Sequence, residues 1–478
     1  MTASNRNVCR CATATSSMNS DTICALATAP GGALGIIRIS GPQSLEILSR
    51  VFSKNLSDAH PNTIHYGHIV EYDAVSQHQN IIDEVLVSIF RSPHSYTGED
   101  SAEISCHGSR YILNKVLELL IEHGCRMANP GEYTQRAYLN GKMDLSQAEA
   151  VADLIASSNK ATHDIALNQL RGHFSSELSH LREQLLKLTS LLELELDFSD
   201  HEDLQFADRS ELLELSKAID TPILRLATSF ETGQALKNGI PVAIIGKTNV
   251  GKSTLLNRLL KDDRAIVSDI HGTTRDTIED TIDIKGITFR FIDTAGIRQT
   301  TDIIEQIGIE RTYAAIEKAR IVIWLIDEAP TEAEISNITD RCTGRTLLTV
   351  WNKSDLRLLQ SNNPFGSVCS CATATLPISA KHGQGLDALE AAIYSAANIP
   401  ELTENDVIVT SARQYQSLIS AHDNLTRVIE GLETNLSGDL ISEDLNLVLD
   451  NLSDITGQGR IMTNEVLGNI FKNFCVGK

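Results

Sequence analysis

Gly246-Lys-Thr-Asn-Val-Gly251-Lys252-Ser253 is the stretch on which the fold turns. It follows an apolar run, Val242–Ile245, and precedes a helical pattern, the setting in which a Gly-x4-Gly-Lys-Ser loop binds phosphate. Small residues let successive backbone N–H groups wrap phosphate oxygens, and the helix N-terminus adds positive potential. Lys252 is placed to reach the β/γ oxygens and Ser253 to ligate Mg²⁺. Asn249, Val250, Gly251 and Thr254 complete the segment expected to touch the nucleotide.

Outward from that loop the partners fall in order. Asp293-Thr294-Ala295-Gly296 ends the next apolar run, where an acid reaches the metal shell and a glycine N–H the γ-phosphate. Thr273-Thr274 lies between, and Thr274 can supply a second Mg²⁺ ligand that is lost when phosphate leaves. Asn352-Lys353-Ser-Asp355 follows a later run, and its carboxylate matches the N1–H and 2-amino donors of guanine. Ser379-Ala380-Lys381 follows the last run and braces that base. These elements spell a Ras-like α/β P-loop G domain over 237–399, with GTP as substrate. Its expected parallel strands are Val242–Ile245, Thr288–Ile292, Ile321–Ile326, Leu347–Val350 and Leu376–Ile378. Ile297 stands where Ras-like proteins keep the glutamine that orients water, so hydrolysis needs another group. Gln299, Asp302 and Glu305 lie just downstream. Asn249 offers a carbonyl oxygen at which a monovalent cation could stabilise transition-state charge.

The rest of the 478-residue chain divides by texture. Residues 21–137 mix β-branched runs such as Ile36–Ile39 and Val85–Ile89 with turns and one helical stretch near Tyr111–His123, an α+β pattern. Residues 138–236 turn helical, with Leu178, Leu181, Leu185, Leu188 and Leu192 in steps of three and four, read as a bundle core rather than an intermolecular zipper. After the G domain, 400–478 is helical again and ends in Cys-Val-Gly-Lys. The expectation is multidomain: an α+β N-terminal domain, then a discontinuous α-helical domain into which the G domain is inserted.

Composition sets limits. The formal charge of −21 repels phosphate backbones, so any work on RNA is expected to lean on a basic partner. No run of about 18 apolar residues suggests a membrane span. Nine cysteines give no disulfide framework and point to a reducing, cytoplasmic setting. Residues 1–20 contain no acids and read as a disordered leader; an organellar location follows only if they serve as a transit peptide. Val8-Cys-Arg-Cys-Ala-Thr-Ala-Thr15 recurs as Val368-Cys-Ser-Cys-Ala-Thr-Ala-Thr375, a repeat with no physical account.

The flanks carry a resemblance. Asp21-Thr-Ile-Cys-Ala25, Gly35-Ile-Ile-Arg-Ile-Ser-Gly41, Ser95-Tyr-Thr-Gly-Glu-Asp100 and Pro130-Gly-Glu-Tyr-Thr-Gln-Arg-Ala-Tyr-Leu-Asn-Gly-Lys142 resemble the MnmE (TrmE) family of tRNA-modifying GTPases. So do Gln147-Ala-Glu-Ala-Val151, Ile307-Gly-Ile-Glu-Arg311, Asp454-Ile-Thr-Gly457 and the terminal Phe474-Cys-Val-Gly-Lys478. The resemblance implies a homodimer formed through the N-terminal domain, which binds a formyl-tetrahydrofolate-type one-carbon donor, and G domains whose dimerisation depends on K⁺. It implies an FAD-containing partner of the MnmG (GidA) type, in a heterotetramer or larger. The pair would add an aminomethyl-type (carboxymethylaminomethyl) group at C5 of wobble uridine 34 in certain tRNAs, which are held mainly by the partner. By motif, Arg38, Glu103, Lys142 and Lys478 correspond to folate-contacting positions. Asn249 with backbone oxygens of Ser268, Ile270 and Thr273 corresponds to the K⁺ shell, and Glu305 to the residue that positions water. Cys475 is either a thiolate activated by Lys478 or a small apolar residue that docks the tail. A ribosome-assembly GTPase would be expected to carry a basic appendage, which this chain does not show, and a bare signalling switch leaves the N-terminal domain without a purpose.

Overall fold

A computed structural model describes residues 21–72, 79–197, 209–262, 280–292, 313–356, 374–399, 406–457, 464–472, 474, 475 and 477. The chain divides into two compact units. One comprises the chain up to Ala152, Ser175–Ser179 and the chain from Asp450; the other comprises Asp153–Phe174 and His180–Leu449.

The first unit is built on a six-stranded sheet. Its strands are β1 (Thr22–Leu26), β2 (Leu34–Ser40), β3 (Thr63–Tyr72), β4 (Gln79–Phe90), β5 (Ser101–His107) and β6 (Cys125–Met127), in the order β3-β4-β5-β2-β1-β6. Alternation along β2 explains its two faces. Ile37 and Ile39 join the core with Leu45 and Leu48 of α1 (Ser44–Val51) and Leu113, Val116 and Leu120 of α2 (Arg110–Glu122). Arg38 points to the other face, directly opposite Glu103 of β5. On that other face Ile23 and Ala25 of β1 meet Ala128 and the fully buried Tyr133 of α3 (Glu132–Leu139). Arg136 of α3 is 3% exposed and holds Asp21, Glu132 and Glu99 at 2.7, 3.0 and 3.3 Å. Burial pushes the Asp21 and Glu132 carboxyls up, but Arg126, which reaches them at 2.7 and 2.6 Å, together with Arg136 holds both below their ordinary values. Leu145 and Ala148 of α4 (Leu145–Ala156) cluster with Leu467 and Phe471, near the end of the chain.

The second unit contains the G-domain sheet. Strands β7 (Ile240–Ile245), β8 (Asp280–Ile284), β9 (Ile287–Phe291), β10 (Ile321–Ile326), β11 (Thr346–Trp351) and β12 (Ala374–Pro377) run in the order β12-β11-β10-β7-β9-β8. All neighbours pair in parallel except β8, which is antiparallel to β9. The five apolar runs read from the sequence are the five parallel strands, shifted by at most two residues at an end. The sequence reading missed β8, an edge strand whose Asp-Thr-Ile-Asp-Ile alternation buries only Ile282 and Ile284. Helices α5 (Lys160–Leu170), α6 (His173–Asp197) and α7 (Arg209–Asn238) follow the N-terminal unit in sequence. After them come α8 (Lys252–Asp262), α9 (Glu332–Arg341), α10 (Leu386–Ala396), α11 (Ala412–Glu433), α12 (Gly438–Thr456) and α13 (Asn464–Phe471).

The helical segments that flank the G domain are joined to it and to each other. Ile165 of α5, Leu236 of α7 and Ile408 belong to the same apolar core as β7, β9 and β10. Asn159 caps α5 through Thr162 N and donates to Thr288 Oγ1 of β9 at 2.8 Å, while Ala161 N donates to Gly286 O. Across α7 and α11, Phe230 stacks on Tyr415 at 4.4 Å between centroids and His422 meets Asp220 at 2.6 Å. The two halves of the helical region, read as partners only because each is amphipathic, do pack together at these helices. All five leucines of the α6 stripe are buried within the chain, as expected of a bundle core.

Candidate functional site

The phosphate loop lies between β7 and α8, beside the point where strand order reverses between β7 and β10. Ligands of open parallel sheets bind outside the carboxyl ends of strands at such a switch point. Gly246 has φ +146 and a Cβ there would collide with Leu325 O, while a Cβ on Gly251, at φ +100, would collide with Asn352 Nδ2. These two glycines therefore permit the approach of β10 and of the Asn352 segment to the loop. Lys252 Nζ donates to Gly246 O and Lys247 O, both at 2.7 Å, which folds the ammonium back over its own loop. Burial holds the Lys252 ammonium below its ordinary pKa, a cost that an anion in the loop would relieve. Asn249 stands exposed at φ +63, Val250 is buried, and Thr254 is exposed on the first turn of α8. Ser253 lies half-buried beside Lys252 at the start of that helix.

The segments expected to read the base reach the same rim. Asn352 is 4% exposed; its Nδ2 donates to Val250 O at 2.7 Å and its Oδ1 accepts from Ala380 N at 3.0 Å. One amide thus ties the phosphate loop to both segments expected to hold guanine. Ser379 Oγ donates to Asp355 Oδ1 at 2.6 Å, and this hydroxyl holds the Asp355 carboxyl below its usual range. Lys353, at φ +60, pairs with Asp327 at 2.6 Å, and Lys381 is exposed. Asp327 was not singled out from sequence, although it directly follows the apolar run of β10. Ser268, Ile270, Thr273, Thr274, Asp293, Thr294, Ala295, Gly296 and Glu305 lie outside the described residues, as do the leader and both copies of the repeat but for Ala374 and Thr375.

A second constellation sits in the N-terminal unit. Arg38 Nε and Nη2 donate to Glu103 Oε1 at 2.9 and 2.6 Å, and Arg38 Nη1 donates to Gly477 O at 3.0 Å. The guanidinium lies between the rings of Tyr133 and Tyr96, 5.6 and 5.8 Å from their centroids. Together with Phe90, Thr97 and Ser101, these side chains line a cavity of about 80 Å³. That is roughly half the volume that admits a benzene ring, so a larger heterocycle requires a wall to yield. Burial pushes both tyrosine hydroxyls up, keeping them neutral donors. Lys142 does not line the cavity; it donates to Pro93 O at 2.9 Å, on the loop that leads to Tyr96. Cys475 is exposed and its carbonyl accepts from Gly131 N, while Lys478 lies outside the described residues. His107, read from sequence as a turn or core residue, is exposed at the end of β5 and paired with Asp83 at 2.7 Å. The sequence reading missed Tyr96 and Tyr133, although both stand inside motifs it quoted.

Comparison with known proteins covers both regions of the chain. The family model described as GTP-binding protein TrmE N-terminus matches residues 22–142, and that described as MnmE helical domain matches 145–475. The protein named tRNA modification GTPase MnmE from Bacteroides fragilis (strain ATCC 25285) is 55% identical over 475 residues, covering 96% of this chain and all of its own length. The chain belongs to the MnmE family of tRNA modification GTPases. Family members of the same name from Phocaeicola vulgatus and Flavobacterium johnsoniae are 52% and 50% identical, each over 96% of this chain and at least 99% of their own. As an MnmE-family member the chain is a GTP hydrolase that works in tRNA modification, with the multidomain, Ras-like architecture expected of its sequence. Among the described residues no helix is long and apolar enough to cross a membrane.

Proposed function

We propose that this GTPase acts with an FAD-containing partner to build a carboxymethylaminomethyl-type group on C5 of wobble uridine in certain tRNAs. The observation that carries the nucleotide half is the Asn352 amide, which binds the phosphate loop and the Ser379–Lys381 segment into one rim. Lys252, Ser253 and Asn249 hold the phosphate end; Asp355, backed by Ser379, reads the guanine edge through its carboxylate. Thr274 and Asp293 complete the Mg²⁺ side. Asn249, with the backbone oxygens of Ser268, Ile270 and Thr273, holds K⁺. These cations, when bound, neutralise charge on the transferring phosphoryl. Glu305 orients the attacking water in place of the glutamine that Ile297 displaces.

In this reading the N-terminal domain over 21–137 dimerises and binds a formyl-tetrahydrofolate-type donor. The aromatic walls of the cavity take a flat heterocycle, and Glu103 Oε2, uncommitted among the described residues, accepts from its ring N–H and amino groups. The G domains of two copies, each inserted between helical segments 138–236 and 400–478, close on GTP and open after hydrolysis. The protein works in the cytoplasm, and its acidic surface leaves tRNA mainly to the partner.

The test is reconstitution: purified chain, flavoprotein partner, undermodified tRNA, a folate donor and GTP in potassium buffer. The modified nucleoside is expected with GTP and absent with a non-hydrolysable analogue. Equal yields with both would reject the coupling of hydrolysis to modification.

A further inference from the structure

Arg38 is a long side chain with five N–H donors, and Glu103 Oε1 satisfies only its Nε and one Nη2 hydrogen. The remaining edge is fixed by the end of the chain, 439 residues away in sequence, through Gly477 O on Nη1. The seat for that tail is built from backbone. Gly477 is buried at φ +90, and a Cβ there would collide with Leu26 O of β1. Upstream, Gly131 N donates to Cys475 O at 3.2 Å, and a Cβ on Gly131 would lie 2.8 Å from Phe474 Cβ and 2.9 Å from Phe471 O. Gly477 against the end of β1 and Gly131 against Phe471 and Phe474 each allow an approach that a larger residue would block.

We infer that Gly477 is a positioning residue for this pocket: its carbonyl fixes the Arg38 guanidinium, so that docking of the chain's end and binding of the pocket's ligand strengthen each other. The inference rests on reading the cavity as a ligand site and adds how that site is regulated. With the tail in place, a ligand oxygen meets an Arg38 fork already held between Tyr96 and Tyr133. Without it, the ligand must order the fork itself, and preorganisation of that kind is where affinity is lost. Because the coupling is thermodynamic it is reciprocal: the ligand must hold the tail as much as the tail holds the ligand.

The full-length chain is titrated with 5-formyltetrahydrofolate by calorimetry, while hydrogen exchange of the peptide covering 464–478 is followed by mass spectrometry. Gly477→Ala is expected to weaken binding about tenfold, and the probe is expected to slow tail exchange in the unaltered chain by a similar factor. Gly477→Ala added to Arg38→Ala is expected to cost nothing more than Arg38→Ala alone, which a merely structural tail would not produce. Wild-type affinity in Gly477→Ala, or additive losses in the double variant, would overturn the inference. If the unaltered chain ignores the probe, the folate reading fails, and exchange alone decides the inference. Arg38→Ala must then speed exchange of the tail, and an unchanged rate overturns it.

Discussion

The nucleotide site and the N-terminal pocket are assembled in opposite ways. In the first, the phosphate loop, the Asn352–Asp355 segment and the Ser379–Lys381 segment each follow a strand of one sheet, and their residue types suit phosphate and guanine chemistry. Its parts can therefore be found by short spacings alone. The second takes Arg38 and Glu103 from antiparallel neighbours, rings from a loop and from α3, and a carbonyl from the chain's end. No local spacing announces it. A site that depends on continuous backbone geometry leaves a motif, whereas one that depends on convergence of distant side chains leaves scattered residues that look like surface charges.

Four substitutions would sharpen or break that contrast. Lys252→Ala removes the ammonium from the phosphate loop and is expected to slow GTP hydrolysis about a thousandfold, read by phosphate release. It should leave binding to the N-terminal pocket intact; loss of both would mean the two sites are not separable. Arg136→Ala is the converse, since it strips a buried cation from Asp21, Glu132 and Glu99. It is expected to cost the N-terminal unit about 3 kcal/mol in denaturant unfolding. The same cluster sets a pH dependence. Asp21 and Glu132 titrate below their ordinary values when folded, so their contribution is fully present above about pH 5 and fades as pH falls through the lower folded values. Arg136→Ala should flatten that acid limb in part, since Arg126 still pairs with both carboxylates, and an unchanged limb would show that Arg126 alone holds them down.

Asp355→Asn exchanges an acceptor for a group that also donates, and is expected to weaken GTP binding ten- to hundredfold. Xanthosine triphosphate, with a 2-oxo group where guanine has an amine, should gain in competition. The smallest effect is expected from Thr288→Val, which deletes the acceptor for Asn159 Nδ2 but leaves the α5 cap in place. About 1 kcal/mol of stability should go, with faster hydrogen exchange at the start of α5. A null result would mean that the joint between α5 and the β8–β9 hairpin is held by the apolar core alone.

Much of this fold was legible because buried parallel strands read as continuous apolar runs. Ile321–Ile326, buried at all six positions, has the same bounds in sequence and structure. The antiparallel edge strand β8 was missed because alternating acids and isoleucines resemble an exposed turn region as much as a strand. The Arg38–Glu103 pair entered through family resemblance rather than spacing, since residues 65 apart become neighbours only through strand register. Tyr96 and Tyr133 went unnoticed because an aromatic inside a conserved-looking motif carries no sign of the guanidinium it flanks. The Gly477 carbonyl could not have been read at all, because a backbone acceptor has no residue signature.

We propose that GTP hydrolysis by this chain drives tRNA modification at the wobble uridine. The most direct measurement is mass spectrometry of nucleosides from bulk tRNA in cells whose only copy of the chain carries Lys252→Ala, beside cells with the unaltered chain. The carboxymethylaminomethyl-type nucleoside is expected to vanish from the first and persist in the second. Equal amounts in both would contradict the account.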